Sequence, residues 1–222
     1  MDWDVLADME ADLGQYGYSS QVGQKITPPE GGMFKVKRFG ILPAMVAAVN
    51  VLEIVRYWDK AGTDEKELQK GKDACYTAGV KMCKLKNGKY IIMDRVKGRW
   101  GADSREEVIR RTAELDGTQC TVYIEQEPGS GGKESAEGTI KNLAGFKCHA
   151  DRPTGNKIYR ADPYSVQVNN GNVMLLAGEW NKDFIKEHET FPFGKFKDQV
   201  DAGAGAFNML TNKKLAQVLR KG

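Results

Sequence analysis

Residues 121–132 read Thr-Val-Tyr-Ile-Glu-Gln-Glu-Pro-Gly-Ser-Gly-Gly. Val122, Tyr123 and Ile124 make a β-type apolar run that ends at two carboxylates, Glu125 and Glu127. Pro128 and the glycines after it stop the strand. An acid at the carboxyl end of a buried strand, facing a glycine loop, stands where open α/β sheets place their ligands. The signal gains force only if other carboxylates reach the same place, so the flanking elements decide its meaning.

Upstream, residues 53–58 read as a strand (Ile54, Val55, Tyr57 and Trp58 are apolar) that ends at Asp59. Residues 60–72 are polar and charged and read as a solvated loop. Residues 75–85 and 89–96 read as two more strands, and Asn87-Gly88 between them is a strong hairpin signal. Three consecutive strands therefore form an antiparallel meander. Ser104 and Glu107 fit a capping box for a helix whose buried stripe is Val108, Ile109, Ala113 and Leu115.

Downstream of the strand at 119–125, Ala136, Ile140, Leu143 and Ala144 recur at helical spacing and Gly145 closes the helix. Residues 146–150 read as a fifth strand, and 152–157 as a basic turn. A helix over 158–168 is interrupted by Pro163. Residues 173–177 read as a short strand or extended run and 180–189 as a helix. The last helix, 197–220, buries Val200, Ala204, Phe207 and Leu210, and Gly203 and Gly205 would let it approach a sheet closely. The expected fold is α/β, a mixed five-stranded sheet of three antiparallel strands followed by parallel strands, flanked by helices. Frequent glycines and Pro28-Pro29 mark residues 1–40 as an arm, with a short helix near 2–13, and residues 41–222 as the folded domain.

The 222 residues suffice for one substantial core. Residues 1–30 carry six acids against one base, Lys25, so the rest of the chain is more basic than the overall charge of +3 suggests. A basic body suits a polyanionic partner. The four cysteines, Cys75, Cys83, Cys120 and Cys148, have no zinc-ligand spacing with each other or with His149 or His188, and read as reduced, mostly buried thiols. The N-terminus is acidic and lacks the apolar centre of a signal peptide. The longest apolar tract, 41–55, is too short and too polar to span a bilayer. Gly129-Ser-Gly-Gly-Lys133 fails the phosphate-loop pattern, because Glu134 follows the lysine where Ser or Thr is required.

Asp198 and Asp201 stand at i and i+3 in the first turn of the last helix. That spacing also suits simple compensation of the helix dipole. In combination, however, an acid ends the first strand, another ends the fourth, and a third opens the closing helix. Together they would form a set of oxygen ligands suited to Mg²⁺ or Mn²⁺. Two such ions about 4 Å apart serve phosphodiester hydrolysis.

These residues resemble a known family. The run Gln126-Glu127-Pro128-Gly129-Ser130-Gly131-Gly132-Lys133, the loop Arg152-Pro153-Thr154-Gly155-Asn156-Lys157 with Arg160-Ala161, and Phe191-Pro192 with Asp198-Gln199-Val200-Asp201-Ala202 look like the C-terminal nuclease domain of tailed-bacteriophage terminase large subunits. Gln21-Val22-Gly23-Gln24 through Pro28-Pro29-Glu30-Gly31-Gly32-Met33-Phe34-Lys35 looks like the segment joining the packaging ATPase to that nuclease.

The resemblance implies an RNase H-like fold and a metal-dependent endonuclease that cuts concatemeric double-stranded viral DNA in the cytoplasm of the infected bacterial host. Its implied partners are the terminase ATPase domain or subunit, the small terminase subunit and the portal. By position Asp59, Glu125 and Asp198 match the family's catalytic metal ligands, with Asp201 a helper or outer ligand. Lys197 stands where the family often has the first of two paired aspartates. Basic residues near these acids are the expected DNA contacts: Arg95, Lys97 and Arg99 after the third strand, Lys157 and Arg160 after the fifth, and Lys133 and Arg152 beside them. His149 and His188 read as surface or strand residues, since a metal-bound water needs no histidine base. Two other readings stay open: a non-catalytic adaptor that docks DNA or the motor, which Lys197 favours, and a RuvC-like junction resolvase.

Overall fold

The computed structural model describes residues 32–60 and 76–219, with side chains described as far as residue 211. The expected helix near 2–13, most of the arm, Cys75 and most of the loop at 60–72 lie outside the described residues.

Seven strands make one sheet: β1 (Gly40–Leu42), β2 (Val51–Asp59), β3 (Thr77–Leu85), β4 (Tyr90–Gly98), β5 (Cys120–Glu125), β6 (Cys148–Asp151) and β7 (Val173–Leu176). Their order across the sheet is β1-β7-β4-β3-β2-β5-β6. β2, β3 and β4 form the antiparallel meander, while β5 and β6 add in parallel beside β2. The expected five strands are β2 to β6, and the sheet is wider than five because β7 and β1 extend it in parallel beyond β4. β1 is three residues long and pairs with β7, more than 130 residues away, so no local pattern announces it.

The helices are α1 (Ala102–Asp116), α2 (Ser130–Asn142), α3 (Lys157–Asn169), α4 (Asn181–Thr190) and α5 (Asp198–Leu219). Strand alternation sorts β2 cleanly between the faces. Val55 and Tyr57 join the core under α3, α4 and α5. Trp58 joins the opposite core with Val122, Ile124, Ile109 and Ala136, under α1 and α2.

Several local expectations differ from the fold. Gly101, not Ser104, precedes the first turn of α1, so the capping box is unused. The buried residues of α1 are Ile109, Thr112 and Ala113, while Leu115 is exposed. The glycine loop is shorter than it reads, because Gly131 and Gly132 already form the first turn of α2. Gly132 must be glycine there, since a Cβ would lie 2.1 Å from the Glu127 carbonyl oxygen. Pro163 sits inside a continuous α3. The carbonyl that loses its donor belongs to Tyr159, on the exposed side of the helix, where water can replace it. Lys60, read as part of a solvated loop, is buried. Its ammonium donates to the Ser135 carbonyl, the Ser135 hydroxyl and Thr139 Oγ1 at 2.8–2.9 Å, which fastens the end of β2 to α2.

Residues 32–39 of the expected arm pack into the domain. Phe34 is buried against Tyr164, His188 and Phe191, and Asn169 receives the Lys35 N–H at 2.7 Å. α5 lies close on the sheet because Gly205 faces the Tyr57 ring, where a Cβ would come within 2.4 Å of a ring carbon.

His188 is neither a surface nor a strand residue: it is fully buried in α4. Nδ1 lies 2.9 Å from the Phe184 carbonyl and Nε2 lies 3.2 Å from the Tyr164 hydroxyl, a pairing that suits a neutral ring donating through Nδ1 and accepting at Nε2. Burial pulls its pKa down from 6.5 to about 4. The unfolded chain therefore takes up a proton as pH falls through 6.5, while the folded chain resists until about 4. This contribution to stability is present above 6.5 and is lost toward pH 4, by roughly 3 kcal/mol. Urea unfolding across that range should show the wild-type advantage over His188→Gln shrinking as pH falls. A constant difference would contradict it.

Candidate active site

Asp59 is the last residue of β2 and has the parity of Tyr57, so it faces α5. Glu125 ends β5 with the parity of Tyr123 and faces the same way. β2 and β5 are parallel neighbours, with Trp58 opposite Ile124, so their carboxylates leave one end of the sheet side by side. The first turn of α5 brings Asp198 and Asp201 to that end, and both are buried.

Two cations of α3 meet these acids. The Lys157 ammonium pairs with Asp201 Oδ2 and lies 3.9 Å from Asp59 Oδ2, bridging the two. Arg160 Nη1 donates to Glu125 Oε1 at 2.9 Å, and its Nη2 lies 3.9 Å from Asp201 Oδ1. α3 presents them because Asn156 caps it, accepting from the Tyr159 N–H at 3.0 Å, and because Lys157 and Arg160 are three residues apart on one helix face.

The electrostatics bind the four acids into one system. Burial, then Glu125, with Asp201 and Asp198 behind it, pushes the Asp59 carboxyl well above its ordinary range, against the pull of Lys157. Burial raises Asp201 to about 6 even with Lys157 and Arg160 opposing. Burial and then Glu187 raise Asp198. Burial works against the Lys157 ammonium, yet Asp59 and Asp201 hold it up at about 12.

Among the described residues, no three His, Cys, Asp or Glu side chains are gathered closely enough to hold a metal ion as they stand. The donor set nonetheless fits a hard divalent cation. It consists of carboxylate oxygens, it concentrates negative charge that helps to raise the pKa of Asp59 and Asp201, and Asp201 Oδ1 is buried without a hydrogen-bond partner.

The other expected DNA contacts are dispersed. Arg95 and Lys97 are mostly buried and turned to Asp183, with Lys97 also bonded to Glu187 at 2.9 Å. Arg99 is exposed beside Tyr76. Lys133 lies on the exposed side of α2, 3.6 Å from Glu137, and Arg152 is exposed just after β6. His149 is an exposed residue of β6.

Three further residues belong to the neighbourhood. Asp151, one residue beyond the strand expected at 146–150, pairs in register with Glu125. The Tyr57 hydroxyl donates to Asp151 Oδ2 at 2.8 Å and lies 3.5 Å from Glu125 Oε2. Burial, then Glu125 and Asp151, push that phenol far above its usual range, so it stays a donor. Glu187, buried in α4, accepts the Gln199 backbone N–H at 2.6 Å and fixes the first turn of α5. Extending the fifth strand by one residue would have revealed Asp151. A lone glutamate in an amphipathic helix carries no comparable signal.

Comparison with known proteins identifies the fold that carries this arrangement. Among solved structures, the human cytomegalovirus terminase nuclease domain, Mn-soaked and inhibitor-bound, superposes with a TM-score of 0.60 at 8% identity, covering 82% of this chain and 96% of that one. The large terminase nuclease from thermophilic phage G20c with bound magnesium gives 0.52 at 13% identity, covering 82% and 98%. The large terminase of another thermophilic bacteriophage gives 0.54 at 11%, covering 80% of this chain and 44% of that one. A search of curated protein sequences gives no match. At such identities the structures establish the fold, which is that of terminase nuclease domains. The family model described as the terminase RNase H-like domain matches residues 56–210, most of the chain from the middle of β2 into α5, and the chain belongs to that family.

Proposed function

We propose that this chain is the nuclease of a viral DNA-packaging terminase, an endonuclease dependent on Mg²⁺ or Mn²⁺ that cuts concatemeric double-stranded DNA. The observation that carries the reading is the convergence of Asp59, Glu125, Asp198 and Asp201 at one end of the sheet, with Lys157 and Arg160 holding their charge in check.

Asp59, Glu125 and Asp198 would hold the ions, with Asp201 as a helper or outer ligand. Bound there, divalent ions supply activation of a water and stabilisation of the departing oxygen. The chain's own residues do the rest. Arg160 fixes Oε1 of Glu125, and the Tyr57 hydroxyl fixes the neighbouring Asp151. Glu187 and the Lys197 carbonyl, which accepts the Asp201 N–H at 2.9 Å, anchor the first turn of α5. Lys157 and Arg160 keep positive charge beside the acids, where a phosphodiester must enter. Residues 1–40, of which 32–39 pack into the domain, would link it to the terminase ATPase domain or subunit. The small terminase subunit and the portal are its expected neighbours in the cytoplasm of an infected bacterium.

The adaptor reading draws on one observation, the Lys157 bridge between Asp59 and Asp201, which neutralises acids that a nuclease needs. One experiment separates the two. The purified chain should nick and linearise supercoiled plasmid with Mn²⁺ or Mg²⁺ and do neither in EDTA. Cleavage undiminished by EDTA would sink the proposal, and no cleavage with either ion would favour the adaptor.

A further inference from the structure

Tyr76, Arg99, Lys195 and Phe196 form a second cluster beside the acids. The antiparallel registers set Asp59 opposite Ala78 and Thr77 opposite Gly98. Tyr76 and Arg99 therefore leave the sheet at the same end as Asp59, with Arg99 two strand spacings away, about 10 Å. Phe196 stands two residues before Asp198 and meets the Tyr76 ring edge-on, with centroids 4.9 Å apart.

Three cations surround this aromatic pair. Lys97 Nζ lies 4.5 Å and Arg99 Cζ 4.3 Å from the Tyr76 centroid, and Lys195 Nζ lies 5.5 Å from that of Phe196. Lys97 is already committed, since it is mostly buried and bound to Asp183 and Glu187. Arg99 differs: it is exposed and has no carboxylate partner among the described residues. Stacking on a ring limits a guanidinium's motion while leaving its N–H edge open, and that edge matches phosphate oxygens. An exposed cation–π contact contributes little to stability, so gathering like charges here does little for the fold. Because cations already occupy the Tyr76 ring, it is a holder of charge and not a platform for bases.

We propose that Tyr76 and Phe196 hold Arg99 as a backbone-phosphate contact for duplex DNA, on the strand that runs into the acid site. The offset of about 10 Å places the contact within a few nucleotides of the acids. It is independent of sequence, because phosphates carry no base information. The inference takes its ligand from the nuclease reading but is tested without cleavage.

Fluorescence anisotropy of a labelled duplex in EDTA, across a salt series, measures the contact. Arg99→Gln should reduce the slope of log K against log[salt] by about 0.9 and weaken binding about eightfold at 0.1 M salt, as the loss of one phosphate contact requires. Tyr76→Leu should weaken binding several-fold at unchanged formal charge, while Tyr76→Phe, which keeps the ring, should bind as the wild type does. Lys86→Gln, at the hairpin end of the sheet, should change nothing. An unchanged slope in Arg99→Gln, equal losses in the Leu and Phe variants, or no salt-dependent binding by the wild type would overturn the proposal. Wild-type cleavage with Mn²⁺ alongside an unaffected Arg99→Gln would remove this contact and leave the nuclease. An Arg99-dependent slope in a chain that never cleaves would do the reverse.

Discussion

Asp59→Asn is expected to abolish plasmid cleavage while leaving the fold as stable as before, or more so. The carboxylate lies at the end of β2 among Glu125, Asp198 and Asp201, and their mutual repulsion adds to burial in raising its pKa. Removing one charge relieves repulsion, and the lost attraction to Lys157 acts over 3.9 Å to a half-exposed ammonium. The fold therefore loses little. On the proposed function catalysis loses a ligand, and electrostatic stabilisation by bound metal is worth several kcal/mol, so a fall of about 10³-fold or more in cleavage is expected. A second reading comes from stability. Divalent ions that bind only the folded chain raise its melting temperature by mass action, by about 2.7 kcal/mol at a hundredfold excess over Kd. Mn²⁺ should shift the wild type and not Asp59→Asn. Cleavage retained in the variant would remove Asp59 from the site.

Arg56→Met should do the opposite. Arg56 is three residues before Asp59 on β2 but points to the other face, where it is almost wholly buried. Its guanidinium pairs with Asp116, reaches Asp94 at 2.6 Å and donates to the Gly79 carbonyl at 3.1 Å, and Lys81 meets Asp116 at 2.9 Å. Burial works against the Asp116 carboxylate, but Arg56 and Lys81 hold it below its usual range. Removing the arginine leaves the buried Asp116 with Lys81 as its remaining cation and takes one donor from the Gly79 carbonyl. Breaking such a network costs about 3–5 kcal/mol, a large share of an ordinary domain's stability. Urea unfolding should record that loss, while cleavage per folded molecule stays near the wild-type value. A loss under about 1 kcal/mol would mean that Lys81 alone satisfies Asp116. On one strand, then, alternate side chains separate activity from stability.

The legible part of this fold was its local chemistry. Asn87-Gly88 announced the hairpin, apolar runs marked β2 and β5, and their terminal acids, Asp59 and Glu125, followed from where those runs stop. The stripe Val200, Ala204, Phe207 and Leu210 is buried as its spacing implies. What stayed hidden depends on distant partners. Arg56 and Lys60 are residue types that belong in water, and distant partners, among them Asp116 on α1 and Ser135 on α2, make their burial tolerable. Leu115 reads as core but falls at the exposed end of α1. Asp151 sits one residue past the apolar part of its strand, and only pairing with Glu125 brings it to the site. Lys97 reads as a phosphate contact, whereas Glu187, far along the chain, has already claimed it.

The outermost strands of the sheet are short, three residues in β1 and four in β6, and Pro153 follows β6 closely. An unpaired strand margin invites addition of a foreign strand, and short margins with a nearby proline deny it a template. Any protein neighbour would therefore grip this domain through side chains and helices and not by adding a strand.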